Sequence, residues 1–141
     1  MATWREGACA EIRGLKPHFV SKYGWLPHVI EPEGTDVLDL IVMFHSKRLD
    51  GRELALRLRY QPDWQIAGRR EAFVDPREPS HEGREHWPPA QGVRGVLPEH
   101  NPPCICLRGA WGYHSVLHVD QPMGGTSLLE LLLELQAVLD E

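Results

Sequence analysis

The residues with the most reactive side chains gather in one stretch: His100-Asn101-Pro102-Pro103-Cys104-Ile105-Cys106-Leu107, followed by Trp111, His114, His118 and Asp120. A cysteine there has three uses: buried packing, metal ligation, or attack by its thiolate on an acyl carbon. Cys104 and Cys106 are too close in sequence to form a comfortable disulfide with each other. One of the two is expected to be buried and the other exposed. Cys104 follows two prolines and is expected to be the buried one. Cys9 falls on the apolar face of a helix, where a thiol packs. Cys104-x-Cys106 followed by His114-x-x-x-His118 has the residue types of a structural zinc site. The cysteine spacing is poor for zinc and Gly109 and Gly112 interrupt the region, so no stoichiometric zinc is expected. A thiol hydrolase would need a cysteine with His and Asn or Asp close in space, which the histidines leave open.

Elements that position this stretch follow from periodicity. Thr3 is an N-cap with Glu6 three residues on, and Trp4, Ala8, Ile12 and Leu15 share a face, which predicts a helix over 3–15. Gly14 and Pro17 should end it. Residues 18–34 read as turns around one short strand near 26–30. Residues 36–45 (DVLDLIVMFH) suit a strand buried on both faces. The Asp50-Gly51 turn joins them to 53–60, where Leu54, Leu56, Leu58 and Tyr60 alternate with Glu53, Ala55, Arg57 and Arg59. That alternation predicts an antiparallel hairpin whose second strand has one wet face. A short strand is expected at 71–74. Residues 75–96 carry prolines, glycines and charges, and are expected to be mobile or anchored mainly by Trp87, Pro88 and Pro89. Thr126 is read as the cap of a final helix over 127–139, with Leu128, Leu131, Leu132, Leu135 and Leu139 as its apolar face.

With 141 residues and a hydrophobic fraction of 42%, the chain suits one α+β domain over 1–141 with a single core. The net charge is −5 and the arginines are interleaved with Glu and Asp, so no nucleic-acid partner is expected. No apolar run is long enough to cross a bilayer, and the N-terminus lacks the pattern of a signal peptide. A cytoplasmic protein with no membrane partner is therefore expected, and three cysteines do not read as a disulfide framework. Gly-rich phosphate motifs are absent, so no nucleotide or other cofactor is expected.

The order His100-Asn101-Pro102, Ile105-Cys106-Leu107, Trp111 and the leucine helix resembles the active-site region of ubiquitin-conjugating enzymes. In that family a His-Pro-Asn element precedes an Ile-Cys-Leu tripeptide, a Trp and a leucine-rich helix, and His100-Asn101-Pro102 resembles a permuted form of the first. The chain looks like a divergent bacterial member, of the sort encoded beside a ubiquitin-like protein, an activating enzyme and a deubiquitinase in antiphage operons. The resemblance implies an N-terminal helix, an antiparallel meander sheet, a long loop leading to the cysteine, and a C-terminal helix. It implies a transferase that accepts a ubiquitin-like protein from an activating enzyme as a thioester on Cys106 and passes it to an amine of a target protein. Asn101 would position backbone and support the oxyanion of the tetrahedral intermediate, and His100 beside it is counted with the catalytic residues. Asp120, His114 and His118 are the candidates for the group that handles the proton of the attacking amine. Trp4 and Arg5 on the first helix would help to dock the activating enzyme. A catalytically inactive relative of the same fold, or a zinc-binding interaction module, is the alternative.

Overall fold

The computed structural model describes residues 3–89 and 92–141. Helix α1, Trp4–Arg13, starts at Thr3, whose side chain accepts a hydrogen bond from the Glu6 N–H, and ends at Gly14. The proline expected only to stop that helix begins another, α2, Pro17–Tyr23. Proline suits a first helical turn, because its fixed φ is already helical and its missing N–H is one that the turn leaves unpaired. The segment read as turns thus holds this helix as well as the short strand β1, His28–Ile30. It also supplies the fully buried Trp25, whose indole N–H donates to Gln136 Oε1 at 3.0 Å.

Strands β2, Leu38–Ser46, and β3, Arg52–Tyr60, pair antiparallel in the register Leu40↔Leu58, Val42↔Leu56, Phe44↔Leu54. After a short helix, α3, Trp64–Ala67, strand β4, Arg70–Val74, returns along β3. The result is a four-stranded antiparallel sheet in the order β1-β2-β3-β4. One face carries Leu38, Leu40, Val42, Phe44, Leu54, Leu56, Leu58, Tyr60 and Phe73. It packs with Ala8 of α1 and the leucines of the C-terminal helix α4, Leu128–Leu139, into the main core. Removing this many apolar side chains from water is the dominant stabilising term.

The other face of β3 is open to solvent at Glu53 and partly at Arg59, but its middle is covered. Ala55 is buried there with Ile41, Ala72 and Val74, and Arg57 is 8% exposed. Alternation of residue type reports which side chains are polar, whereas the burial was decided by a covering segment far along the chain. Glu82 of that segment bonds Arg57, and Asp39 takes Arg59 with both oxygens at 2.8 and 3.0 Å. Residues 75–96 hold on to the body at several points. Val74 bridges to Glu82, Arg84–His86 forms one 3-10 turn, and Trp87 lies edge-on to Phe73 at 5.0 Å. Trp87 and Pro88 are buried as anchors, while Pro89 is exposed. Val93 and Val96 are buried too, and sequence reading had passed over them. Ala90 and Gln91 of this stretch lie outside the described residues.

Helix α4 is capped by Ser127 rather than Thr126. The Ser127 side chain accepts from the Glu130 N–H and Glu130 accepts from the Ser127 N–H, a reciprocal capping box. No described helix is long and apolar enough to cross a membrane.

Candidate functional site

The site is built on the end of β4. Alternation sends Ala72 and Val74 to one face and Phe73 and Glu71 to the core face, where Glu71 stands opposite Leu58. A carboxylate in that position needs partners. It finds the backbone N–H of Ile105 at 2.7 Å and that of Gly112 at 3.1 Å. Those two bonds hold both ends of the cysteine segment against the sheet. Burial outweighs them in setting the ionisation: the Glu71 carboxyl is pushed up to about 7. Gly112 is required for this approach. A Cβ there would sit 2.4 Å from Cys104 Cβ and 2.5 Å from Glu71 Oε2.

Arg69, one residue earlier than the strand, is fully buried and ties the site to α1 and to the start of α4. Its guanidinium is paired with the Glu11 carboxylate of α1 and donates to the carbonyls of Gly109 and Thr126, each at 3.0 Å. The Tyr60 hydroxyl donates to the same carboxylate at 2.6 Å, as does the Leu128 N–H at the start of α4 at 3.1 Å. The backbone of Arg69 also pairs with the turn after the cysteines, accepting from the Trp111 N–H at 2.8 Å. Neither Glu71 nor Arg69 was singled out from sequence. The sequence offered little signal, because Arg69-Arg70-Glu71 is a run of charges of the kind that ordinarily faces water.

On this platform lies the two-stranded ribbon of β5, Val96–Leu97, and β6, Cys104–Ile105. Cys104 is fully buried beside Glu71. Burial, the Glu71 carboxylate and Cys106 push its thiol up to about 11. Ile105 and Leu107 are also buried, and they fix Cys106 between them as a half-buried residue. The Cys106 N–H donates to the Gly95 carbonyl at 2.6 Å, and partial burial raises its thiol above the usual range.

The wide turn Tyr113–Leu117 then brings His118 back to the sulfur, with Nε2 at 3.7 Å from Cys106 Sγ. Two contacts with Tyr113 orient the imidazole. Its backbone N–H donates to the Tyr113 carbonyl at 2.7 Å, and the two rings lie 4.3 Å apart. The Tyr113 hydroxyl is fastened in turn to Gln121 Oε1 at 2.8 Å. His114 is used differently. Its Nε2 accepts from the Gly109 N–H at 2.9 Å, and its Nδ1 lies 2.6 Å from the Gln121 carbonyl, to which it donates. With both nitrogens engaged, His114 has no lone pair left for a metal, so the Cys104, Cys106, His114 and His118 donors do not form one set. Among the described residues the donors that converge are Asp75, Glu78 and His81, on the surface and far along the chain from the thiols.

Other residues proposed from sequence line separate hollows. Asn101 is exposed and lines a hollow of about 410 Å³ with Trp87, Trp111 and Arg70, whose guanidinium lies 4.7 Å over the Trp111 ring. His100 faces a second hollow with Arg94 and Glu141. Asp120 is exposed beside Arg108 and Tyr113. No hydrogen bond joins any of the three to Cys106 among the described residues. On α1, Arg5 is occupied by Glu31 at 3.2 Å and Asp36 at 3.5 Å, and it lies over the Trp4 ring. Chemically, the arrangement is an accessible thiol with an imidazole at hydrogen-bond range for sulfur, held on a buried ionic frame. No family model, curated protein or solved structure matches the chain, so its chemistry is read from this geometry.

Proposed function

We propose that the chain is a ubiquitin-conjugating-like enzyme that carries a ubiquitin-like protein as a thioester on Cys106 and transfers it to an amine of a target protein. The observation that carries this reading is the contrast inside one tripeptide: Ile105 and Leu107 are sunk in the core and Cys106 stands half-buried between them beside an imidazole. A carrier thiol must be reached by two large partners in succession, so it belongs on a fixed ridge and not in a closed pocket. The order of elements supports the same reading. An N-terminal helix, four antiparallel strands, a long segment anchored by Trp87, the cysteine and a C-terminal helix follow one another as the resemblance requires.

In the first half-reaction Cys106 Sγ attacks the carbonyl carbon of the modifier's thioester on the activating enzyme. The new S–C bond forms, the old one breaks, and the departing sulfur takes up the proton that Cys106 gives away. In the second, a target amine attacks the same carbon, an amide forms, and Cys106 is released as a thiol. Asn101, on the rim of the Trp87 and Trp111 hollow, is the residue that the resemblance assigns to the oxyanion. Trp4 and Arg5 remain the proposed contact with the activating enzyme, although Arg5 would first have to leave Glu31 and Asp36.

The test is a charging reaction with a ubiquitin-activating-like enzyme, nucleotide and a ubiquitin-like protein. The intact chain should form an adduct that thiol reductants remove. Cys106→Ala should form none, and Cys106→Ser a slower, reductant-resistant ester. An adduct that survives Cys106→Ala, or no adduct with the intact chain, defeats the reading.

A further inference from the structure

We propose that His118 is the proton carrier of the Cys106 site, serving both half-reactions; this rests on the reading of Cys106 as an acyl-carrying thiol. His118 Nε2 is 3.7 Å from Sγ, near enough to accept the S–H proton as the sulfur attacks an acyl carbon. Once the acyl group is on Sγ, its carbonyl carbon is one bond from that sulfur. An amine attacking the carbon therefore arrives within reach of the same nitrogen. Nε2 then takes a proton from the attacking nitrogen and returns it to Sγ as the S–C bond breaks. Thiol, amine and imidazole begin and end with a balanced count of protons, and no outside reagent is needed.

Three features single out this histidine. Cys106 is partly desolvated and its thiol raised, so near neutral pH it attacks poorly without a base. The other two candidates are not joined to the sulfur among the described residues: both nitrogens of His114 are bonded elsewhere, and Asp120 is exposed beside Arg108 and makes no hydrogen bond to Cys106. The imidazole is also held in place, by the ring of Tyr113 at 4.3 Å and the backbone bond to the Tyr113 carbonyl. Tyr113 and Cys106 are the titratable groups placed against the ring, and no carboxylate or cation pairs with His118 among the described residues. With Nε2 accepting, the proton of the neutral ring sits on Nδ1, as a base toward sulfur requires.

The probe is p-nitrophenyl acetate, an activated acyl donor that needs no partner protein. Acetylation is followed by p-nitrophenolate release and by intact mass, with Cys106→Ala as the blank. In the unaltered chain the rate should show an inflection below the one set by the thiol's own ionisation. His118→Gln should lower the rate at pH 7.5 by about 100-fold, remove the first inflection, and converge on the parent rate at high pH, where hydroxide replaces the base. His118→Ala should respond likewise and regain activity with added imidazole. A His118→Gln variant slower by one constant factor at every pH, or a parent profile with the thiol inflection alone, would show that the ring only packs. Histidine-dependent acetylation without any protein adduct would uphold the proton carrier and sink the conjugating function. Normal, His118-independent charging would do the reverse.

Discussion

Cys104 and Cys106 stand two residues apart and live in different worlds. Cys104 is fully buried against the Glu71 carboxylate, in the gap that Gly112 leaves open, and its thiol is pushed up to about 11. Cys106 is half-buried, has an imidazole in place of a carboxylate for a neighbour, and stands on the two apolar anchors that flank it. A negative neighbour suppresses thiolate, whereas an imidazole accepts the proton of a thiol or stabilises its anion. Chain proximity therefore says little about reactivity. What separates the two is which buried residue of β4 or which returning turn meets each sulfur.

The largest effect that sharpens this contrast is alkylation. Iodoacetamide at pH 8 should modify Cys106 at least about 100-fold faster than Cys104, whose thiol is exposed only when the ribbon opens. Peptide mapping of the time course would show it. Comparable rates would mean that the ribbon of β5 and β6 opens freely and that the difference in burial has no chemical consequence.

A second effect concerns the frame. The Glu71 carboxyl titrates near 7 in the folded chain, against 4.5 for an ordinary glutamate. Between those values the folded state holds a proton that the unfolded state has lost, so its contribution to stability is full below the lower value and falls as pH rises through the higher. The gap corresponds to about 3 kcal/mol. Denaturant unfolding of the parent and of Glu71→Gln, from pH 4.5 to pH 8, should give a parent-minus-variant difference that falls by about that amount. Parallel curves would show that the carboxylate ionises as it does in the unfolded chain, and that its two N–H donors offset its burial. The smallest effect is Cys104→Ala, expected to cost on the order of 1 kcal/mol and to leave acetylation of Cys106 near its parent rate. Loss of acetylation in that variant would make the two thiols a single unit and remove the contrast.

Legibility along the chain followed the range of the forces involved. The hairpin of β2 and β3 was readable because its pattern, its turn and its pairing are all local, as were α1 and the apolar face of α4. The short helix α2 is not legible locally because Pro17 reads equally as an end signal and, through the same fixed φ, as the start of a helix. The cap of α4 was misplaced by one residue because Thr126 and Ser127 carry the same donor and acceptor, and Glu130 selects between them through space. The wet face of β3 failed at Ala55 and Arg57 because the cover comes from Glu82 and its neighbours, beyond the reach of any local pattern.

At the candidate site the division is the same. Residue types and order alone determined that the apolar Ile105 and Leu107 bracket Cys106, and that a leucine face closes the core behind it. Tertiary structure decided the rest. It buried Glu71 and Arg69 as the frame, sent His114 to Gly109 and Gln121, and brought His118 to the sulfur from twelve residues away. It also left Asn101 on the rim of a different hollow. Periodicity assigns a side chain to a face, because the backbone repeat is fixed by local sterics. It does not say which other segment will meet that face, since that depends on how buried charges find partners across the fold.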